Sequence, residues 1–436
     1  MRDLRLREIL RIVSRMVTRG RLLKRTPFWP HEKMREWQFA RIQELVRFAY
    51  TNIPFYLDHY RAVGFQPGDL KNWDDFAKLP CVTKEQVIAN YPQRMLKAGS
   101  VLEELIVSRS SGSSGKVLDI AYDSDAMITY VLAALRLYKM CFPYKPWHKQ
   151  VYVYTSPYPM NSLLGCYPLH FISTLTPTHE ILASLKRLKP ELLVCYPSHL
   201  KQILQDASEA ERMQIKPRVV SVNSEMSTQA ERDYLGTLLG CSVLDEYSSE
   251  ELTRIAAQCR HKTYHIFEDI NYIEVLDTDG RSTKCAGTIV GTNLHNFAMP
   301  MIRYQQNDLG MIEHASCPCG WQFRRLTGFE GRRNDSFEMP SGKILSSGFL
   351  LDATYEFLLA YRTAVKDFCL IQKSKTEVIL QIIPGSGWDE SVQKKIVARF
   401  LEFLEPNVQF QIKTVVDCEK TKTGKRNPII NLMNRR

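Results

Sequence analysis

Ser110, Ser111, Gly112, Ser113, Ser114 and Gly115 stand together ahead of Lys116, a run of small residues whose backbone N–H groups are unobstructed and whose hydroxyls can donate. Such a loop can wrap a polyphosphate, although Gly/Ser runs also serve as plain linkers. It is not a Walker-type P-loop, which needs a glycine where Ser110 stands and a hydroxyl where Val117 stands. A second set is Cys259, His265, Cys317 and Cys319, a Cys₃His group suited to tetrahedral Zn²⁺ as a closed structural site. His261 and His314 compete for the nitrogen position, and buried unrelated thiols are the plainer alternative. A third is the acidic stretch Glu250-Glu251, hard oxygen donors of the kind Mg²⁺ takes. Lys425 sits in a "TGK" stretch near the C-terminus, a setting that by itself predicts only a solvated amine.

The elements that must position these groups alternate in type. "QVYVYTS", "LLVCYPS", "VVSVNSE" and "SVLDEYSS" are apolar runs that end in small or polar residues, and "PSHLKQILQDASEAE" after one of them has helical spacing. This predicts an α/β fold with mostly parallel sheets, whose strand C-termini gather binding residues. "NYIEVLDTDG" and "GTIVGTNL" read as strands meeting at a turn. Residues 26 to about 100 read as helical and loop-rich. "TGFEGRRNDS" near residue 328 marks a break, and beyond it helices and strands alternate again as a small α+β domain. The expected division is a basic amphipathic helix over 1–25, a large domain over 26–330, a hinge at 331–335 and a lid domain over 336–436.

Composition sets bounds on function. The hydrophobic content of 44% and charged content of 24% are those of a soluble globular protein. No apolar run reaches the ~18 residues of a membrane span, and the N-terminus lacks the pattern of a secretory signal. Eleven scattered cysteines predict a reducing, cytoplasmic setting rather than a disulfide framework. Of the net charge of +11, +7 comes from residues 1–25, where nine Arg/Lys face Asp3 and Glu8. Leu6, Ile9, Leu10, Val13, Met16 and Val17 form an apolar stripe there. That stripe predicts a helix laid on the body of the protein, with peripheral contact to an anionic membrane as the alternative. Nucleic acid is not an expected partner, and oligomeric state is not legible.

Taken together, the motifs resemble those of adenylate-forming enzymes of the acyl-CoA synthetase type. "SSGSSGK" resembles their S-S-G-T-T-G-K loop, "DEYSSEE" (245–251) their Y-G-x-[ST]-E element, and "MPMIRYQQNDLG" (299–310) their P-x-I-R-Y-x-x-x-D-x-G segment. "EGRRNDSF" (330–337) is similar to the G-R-x-x-D hinge, and "KTKTGKRNPII" (420–430) to the C-terminal motif with the mobile lysine. "LPCVTKEQVIANYP" and "CPCG" point to the phenylacetate–CoA ligase branch, including its coenzyme F390 synthetase-like members. The chain departs from the pattern in Ser248 for Gly and Glu250 for Ser/Thr.

The resemblance implies ATP-dependent activation of a small carboxylic acid to an acyl-adenylate, pyrophosphate release and transfer to coenzyme A. Transfer to an amine or carrier protein is the near alternative. A non-catalytic basic membrane- or nucleic-acid-binding protein on a ligase scaffold is the distant one. It implies that Ser110–Gly115 hold phosphates while Lys116 is structural. Asp245, Glu246 and Tyr247 line the adenine side, Asp308 binds the ribose, and Arg332 holds ribose or phosphate. Glu251 (or Glu250) meets Mg²⁺, Lys425 reaches the α-phosphate and Asn334 is the hinge pivot. By position, Tyr154, Tyr158, Tyr196 and Asn223 shape the acyl pocket.

Overall fold

The computed structural model of the chain describes residues 6–109, 117–155, 157, 162, 165–419 and 425–434. The chain is a mixed α/β protein that folds into two units. One comprises Met1–Pro146, Leu244–Gln306 and Met311–Thr327; the other comprises Trp147–Val243, Asn307–Gly310 and Gly328–Arg436. No helix among the described residues is long and apolar enough to cross a membrane.

In the first unit, helices Leu6–Arg25, His31–Asn52, Pro54–Arg61 and Ser124–Cys141 accompany antiparallel strands. Ser242–Ser249 pairs with Thr253–Gln258, which pairs with Tyr264–Ile266, and Asn271–Leu276 pairs with Gly287–Asn293. A Cβ at Gly291 in that last hairpin would lie 2.1 Å from Leu252 Cδ1, so any larger residue there would push the buried Leu252 side chain aside. Asp123 caps Ser124–Cys141 by accepting the Ala126 N–H at 2.8 Å, satisfying a helix-end donor. The N-terminal helix packs on this same helix: Leu23 is buried and Arg15 pairs with Asp125, while Val13 and Val17 stay exposed.

In the second unit, Leu169–Ser173, Gln150–Tyr154, Leu192–Cys195 and Val219–Asn223 form parallel pairs in that order. Leu192–Cys195 and Val219–Asn223 are buried throughout, as strands covered on both faces must be. Helices Thr178–Leu188, Pro197–Asp206, Glu209–Ile215 and Gln229–Leu239 supply the apolar cover, with Leu185, Leu200, Ile203 and Leu235 in the core. The last hundred residues add a four-stranded mixed sheet. Val365–Ser374 and Glu377–Pro384 form its central hairpin; Ile429–Asn431 and Gln409–Thr414 pair parallel on either side. Helices Ser347–Leu358 and Glu390–Phe403 pack Leu350, Ile396 and Phe400 against it.

All eleven cysteines are free thiols, of which Cys166 and Cys285 are exposed. Burial pushes the thiols of Cys195 and Cys369 well up, and those of Cys141, Cys241 and Cys418 to about 12.

One charged hub ties distant parts of the first unit together. Arg136 donates to both carboxylate oxygens of Asp269 and to the Leu23 carbonyl, and its guanidinium lies 5.0–5.3 Å from the Phe267, Trp321 and Phe323 ring centroids. Asp269 is fully buried and also accepts from Thr26 Oγ1. The backbone carbonyl of Asp269 accepts the Nε2–H of buried His295 at 2.7 Å. Burial is the main reason that this imidazole is pushed down to about 4. Removing one member of such a buried pair strands the other. Arg136→Ala should therefore cost about 3–5 kcal/mol, read as a lower urea midpoint with the far-ultraviolet spectrum retained in buffer. His295 is neutral in the fold but takes a proton in the unfolded chain below its ordinary 6.5. The unfolded state thus binds more protons between pH 6.5 and about 4, and stability falls as pH falls through that window. His295→Gln should flatten this part of the stability–pH curve, as measured by urea titrations at stepped pH.

Candidate active site and metal centre

Asp245, Glu246 and Tyr247 lie on strand Ser242–Ser249, which turns into Thr253–Gln258. Asp245 accepts the Tyr264 hydroxyl at 2.5 Å, and its backbone N–H donates to Gln258 Oε1 at 3.0 Å. Glu246 is buried in an ion pair with Arg254 at 3.0 Å. Tyr247 stands opposite Ala256, just before a bulge in the pairing, and is half-buried.

The two candidate metal carboxylates face different neighbours. Glu250 Oε2 accepts the Ser108 hydroxyl at 2.6 Å, and its carbonyl accepts the Tyr122 hydroxyl. Ser108 and Tyr122 belong to the paired strands Ile106–Arg109 and Asp119–Tyr122 that flank the Ser/Gly stretch. Glu251 is buried, and its Oε1 accepts the Tyr304 hydroxyl at 2.9 Å. Tyr304 is held by its neighbour: buried Arg303 pairs with Glu274 at 3.2 Å and donates to the carbonyls of Ala77 and Leu79. Ser110, Ser111, Gly112, Ser113, Ser114, Gly115 and Tyr158 lie outside the described residues.

In the second unit, Tyr154, Tyr196 and Asn223 come together as their strands dictate. Tyr154 and Asn223 end their parallel strands and Tyr196 directly follows one, the strand edge where such sheets bind ligands. The Tyr154 hydroxyl bonds Asn223 Oδ1, and the Tyr154 and Tyr196 rings lie 4.7 Å apart. Lys425 joins them, with Nζ 5.0 Å from the Tyr196 ring centroid. Asp308 and Arg332 approach at 3.9 Å. Asn334 is exposed in a short 3₁₀ turn, its carbonyl accepting from Asn434 Nδ2 at 3.1 Å.

Beside Lys425 lies a group that motif reading missed. Arg426 is buried; its guanidinium meets Glu231 at 3.3 Å and Asp367 at 2.8 Å, and its backbone N–H donates to Glu225 Oε1 at 2.7 Å. Glu225 also accepts the Ser198 N–H and hydroxyl. Burial pushes the Glu225 carboxyl up, against the pull of these donors. Burial would raise Asp367 too, but Arg426 and Lys201 outweigh it and hold the carboxyl low. The only local signal was a second cation directly after the motif lysine.

In the first unit the Sγ and Nε2 atoms of Cys259, Cys317, Cys319 and His265 all lie within 4.8 Å of one another. Cys259 directly follows strand Thr253–Gln258 and His265 lies on the next, the two strands paired through Gln258↔Tyr264 and Ala257↔His265. Cys259 Sγ and Cys317 Sγ are 3.7 Å apart, and Cys319 Sγ is 3.2 Å from His265 Nε2. Two Zn–S bonds of about 2.3 Å at a tetrahedral angle span about 3.8 Å, so the spacing fits that ion. The backbone N–H groups of His261 and Trp321 donate to Cys259 and Cys319 at 3.4 Å. His265 Nδ1 faces the Phe323 carbonyl at 3.2 Å, which leaves Nε2 turned to the thiols. Burial is the main cause that lowers the His265 imidazole, so it is neutral near pH 7. His261 is exposed and the His314 ring lies against His31, tilted by 37° at 4.5 Å between centroids; neither belongs to the cluster.

The whole fold is that of adenylate-forming acid–CoA ligases. It superposes on 2-hydroxyisobutyryl-CoA ligase in the postadenylation state with 2-HIB-AMP at a TM-score of 0.79 and 20% identity, covering 93% of this chain and 91% of that one. Within that class the sequence resemblance is to the phenylacetate–coenzyme A ligases, as the ordered motifs imply. The enzyme of Aromatoleum evansii is 28% identical over 338 residues, 70% of this chain and 71% of its own. That of Thermus thermophilus is 24% identical over 329 residues, 70% and 72% of the two chains. No family model matches the chain.

Proposed function

We propose that the protein is an ATP-dependent, AMP-forming acid–CoA ligase. A carboxylate oxygen of the acid forms a bond to the α-phosphorus of ATP as the bond to the pyrophosphate oxygen breaks. The coenzyme A sulfur then forms a bond to the acyl carbon, its proton goes to solvent, and AMP leaves with the electron pair of the acyl–oxygen bond. The observation that carries this reading is the placement of Lys425 at 5.0 Å from the Tyr196 ring, beside Tyr154 and Asn223 at the parallel strand ends.

Two anions must meet in the first step, so fixed positive charge is what the site has to supply. Lys425 brings that charge to the α-phosphate, and the Ser/Gly run 110–115 contributes N–H and hydroxyl donors to the outer phosphates. Asp308 accepts from the ribose hydroxyls, Arg332 beside it holds ribose or phosphate, and Tyr247 stacks on the adenine between Asp245 and Glu246. Glu251, a buried oxygen donor oriented by Tyr304, would hold the Mg²⁺ that screens the phosphate charge. Asn334 serves as the pivot between half-reactions. Tyr154 and Tyr196 offer aromatic surface to the acyl group, Tyr158 joins them on its sequence position alone, and the named relatives favour an aryl acid such as phenylacetate.

ATP–pyrophosphate exchange over aryl, short-chain and long-chain acids tests this. Exchange should depend on the acid, and Lys425→Ala should lower it about 10²–10³-fold, the usual cost of losing one transition-state donor. Exchange that persists in that variant, or that no acid elicits, rejects the reading.

The Cys₃His cluster is assigned to one structural Zn²⁺, held by Cys259, His265, Cys317 and Cys319. The donor set leaves no position open for chemistry. Elemental analysis of purified protein should give one zinc per chain, falling towards zero in Cys317→Ser together with a lower melting temperature. Metal-free wild-type protein with the same melting temperature would reject it.

A further inference from the structure

The ionic cluster beside Lys425 is more heavily built than a surface loop requires. Two cationic side chains, Arg426 and Lys201, face three carboxylates, Glu225, Glu231 and Asp367. Arg426 and Glu231 are almost fully buried, and the Arg426 guanidinium also lies 4.9 Å from the Phe368 ring centroid. The partners come from separate elements: Glu231 from helix Gln229–Leu239, Asp367 from strand Val365–Ser374 and Lys201 from helix Pro197–Asp206. Glu225 completes the arrangement, because one carboxylate bonds both the Arg426 backbone and Ser198, two residues from Tyr196. The residue before Arg426 and the ring beneath it are thus fixed by the same acid.

We propose that Arg426 is a positioning residue, and that its buried ion pairs with Glu231 and Asp367 hold Lys425 over Tyr196, favouring acyl-adenylate formation over acyl transfer. The proposal rests on the ligase reading above. A side chain as long as lysine loses several rotors' worth of entropy when it is held in one place. Anchoring the adjacent backbone meets that cost before substrate arrives, which is how a reacting group is pre-positioned. Asp367 shares the 336–436 domain with Arg426 and moves with it, whereas the Arg426–Glu231 pair must break when Lys425 withdraws for the second half-reaction, so the strength of that pair divides the enzyme's time between the two.

Removing the Arg426 side chain would strand buried Glu231 and leave Asp367 with Lys201 alone, which can unfold the protein, so the test uses Glu231→Gln and Asp367→Asn, which keep shape and a hydrogen-bond acceptor. Two half-reactions are measured: acid-dependent ATP–pyrophosphate exchange, and thioester formation from synthetic acyl-adenylate and coenzyme A. Exchange should fall at least about tenfold, while thioester formation stays level or rises. A parallel loss of both, or no change in exchange, overturns the proposal. A second readout does not need activity: the rate at which N-hydroxysuccinimidyl acetate modifies Lys425, followed by mass spectrometry. That rate should rise in both variants, and equal rates overturn the latch. Should the wild type show no exchange with any acid, the ligase reading fails, and the labelling rates alone decide whether Arg426 fixes Lys425.

Discussion

A guanidinium taken out of water has to be met by charge and by carbonyl oxygens, and the way that demand is satisfied fixes several distant segments of this chain. Among the described residues Arg136, Arg303 and Arg426 are three that do so. Arg136 joins Asp269 and the Leu23 carbonyl; Arg303 joins Glu274 and the carbonyls of Ala77 and Leu79; Arg426 joins Glu231 and Asp367. Net stabilisation from such pairs is small, because desolvation offsets most of the attraction. What they provide is uniqueness: a misplaced strand would leave a bare charge in the interior. Two of the three sit directly beside a residue of the candidate site or one that contacts it. Arg303 precedes Tyr304, which orients Glu251, and Arg426 follows Lys425.

The two kinds of sheet divide the labour. Parallel strands end together at one edge, and Tyr154, Tyr196 and Asn223 meet there without any sequence proximity. Antiparallel strands instead place neighbours by register. Ala257 opposite His265 brings the imidazole beside Cys259, and the paired Gln258 and Tyr264 both reach Asp245, one at its backbone N–H and the other at its carboxylate. A one-residue slip would turn His265 to the other face and dismantle the thiol cluster.

Much of this was legible beforehand, for identifiable reasons. The buried parallel strands announce themselves as short unbroken apolar runs, and "QVYVY", "LLVC" and "VVSVN" are strands in the structure. Tyr154, Tyr196 and Asn223, expected near one another from the strand-end rule, are close in the structure, and Tyr158 lies outside the described residues. The Cys₃His set was legible as residue types, with His261 and His314 competing with His265 for the nitrogen position; the hairpin register sets His265 among the thiols and the other two lie outside the cluster. The partners of the buried arginines were not legible. Glu231 and Asp367 read as ordinary polar positions on a helix and a strand, and only the tertiary arrangement makes them the counter-charges of Arg426. Nor does the sequence distinguish Glu250 from Glu251; they diverge because one side chain reaches Ser108 and the other reaches Tyr304.

The thiol inventory has a practical consequence. Nine of the eleven cysteines are buried or half-buried, several with strongly suppressed thiolate formation, so electrophiles are left with Cys166 and Cys285. Those two fall one on each folding unit. A maleimide donor and acceptor dye would therefore label the unmodified wild-type chain once per unit, and energy transfer between them would report inter-unit distance through a full turnover without a single engineered cysteine.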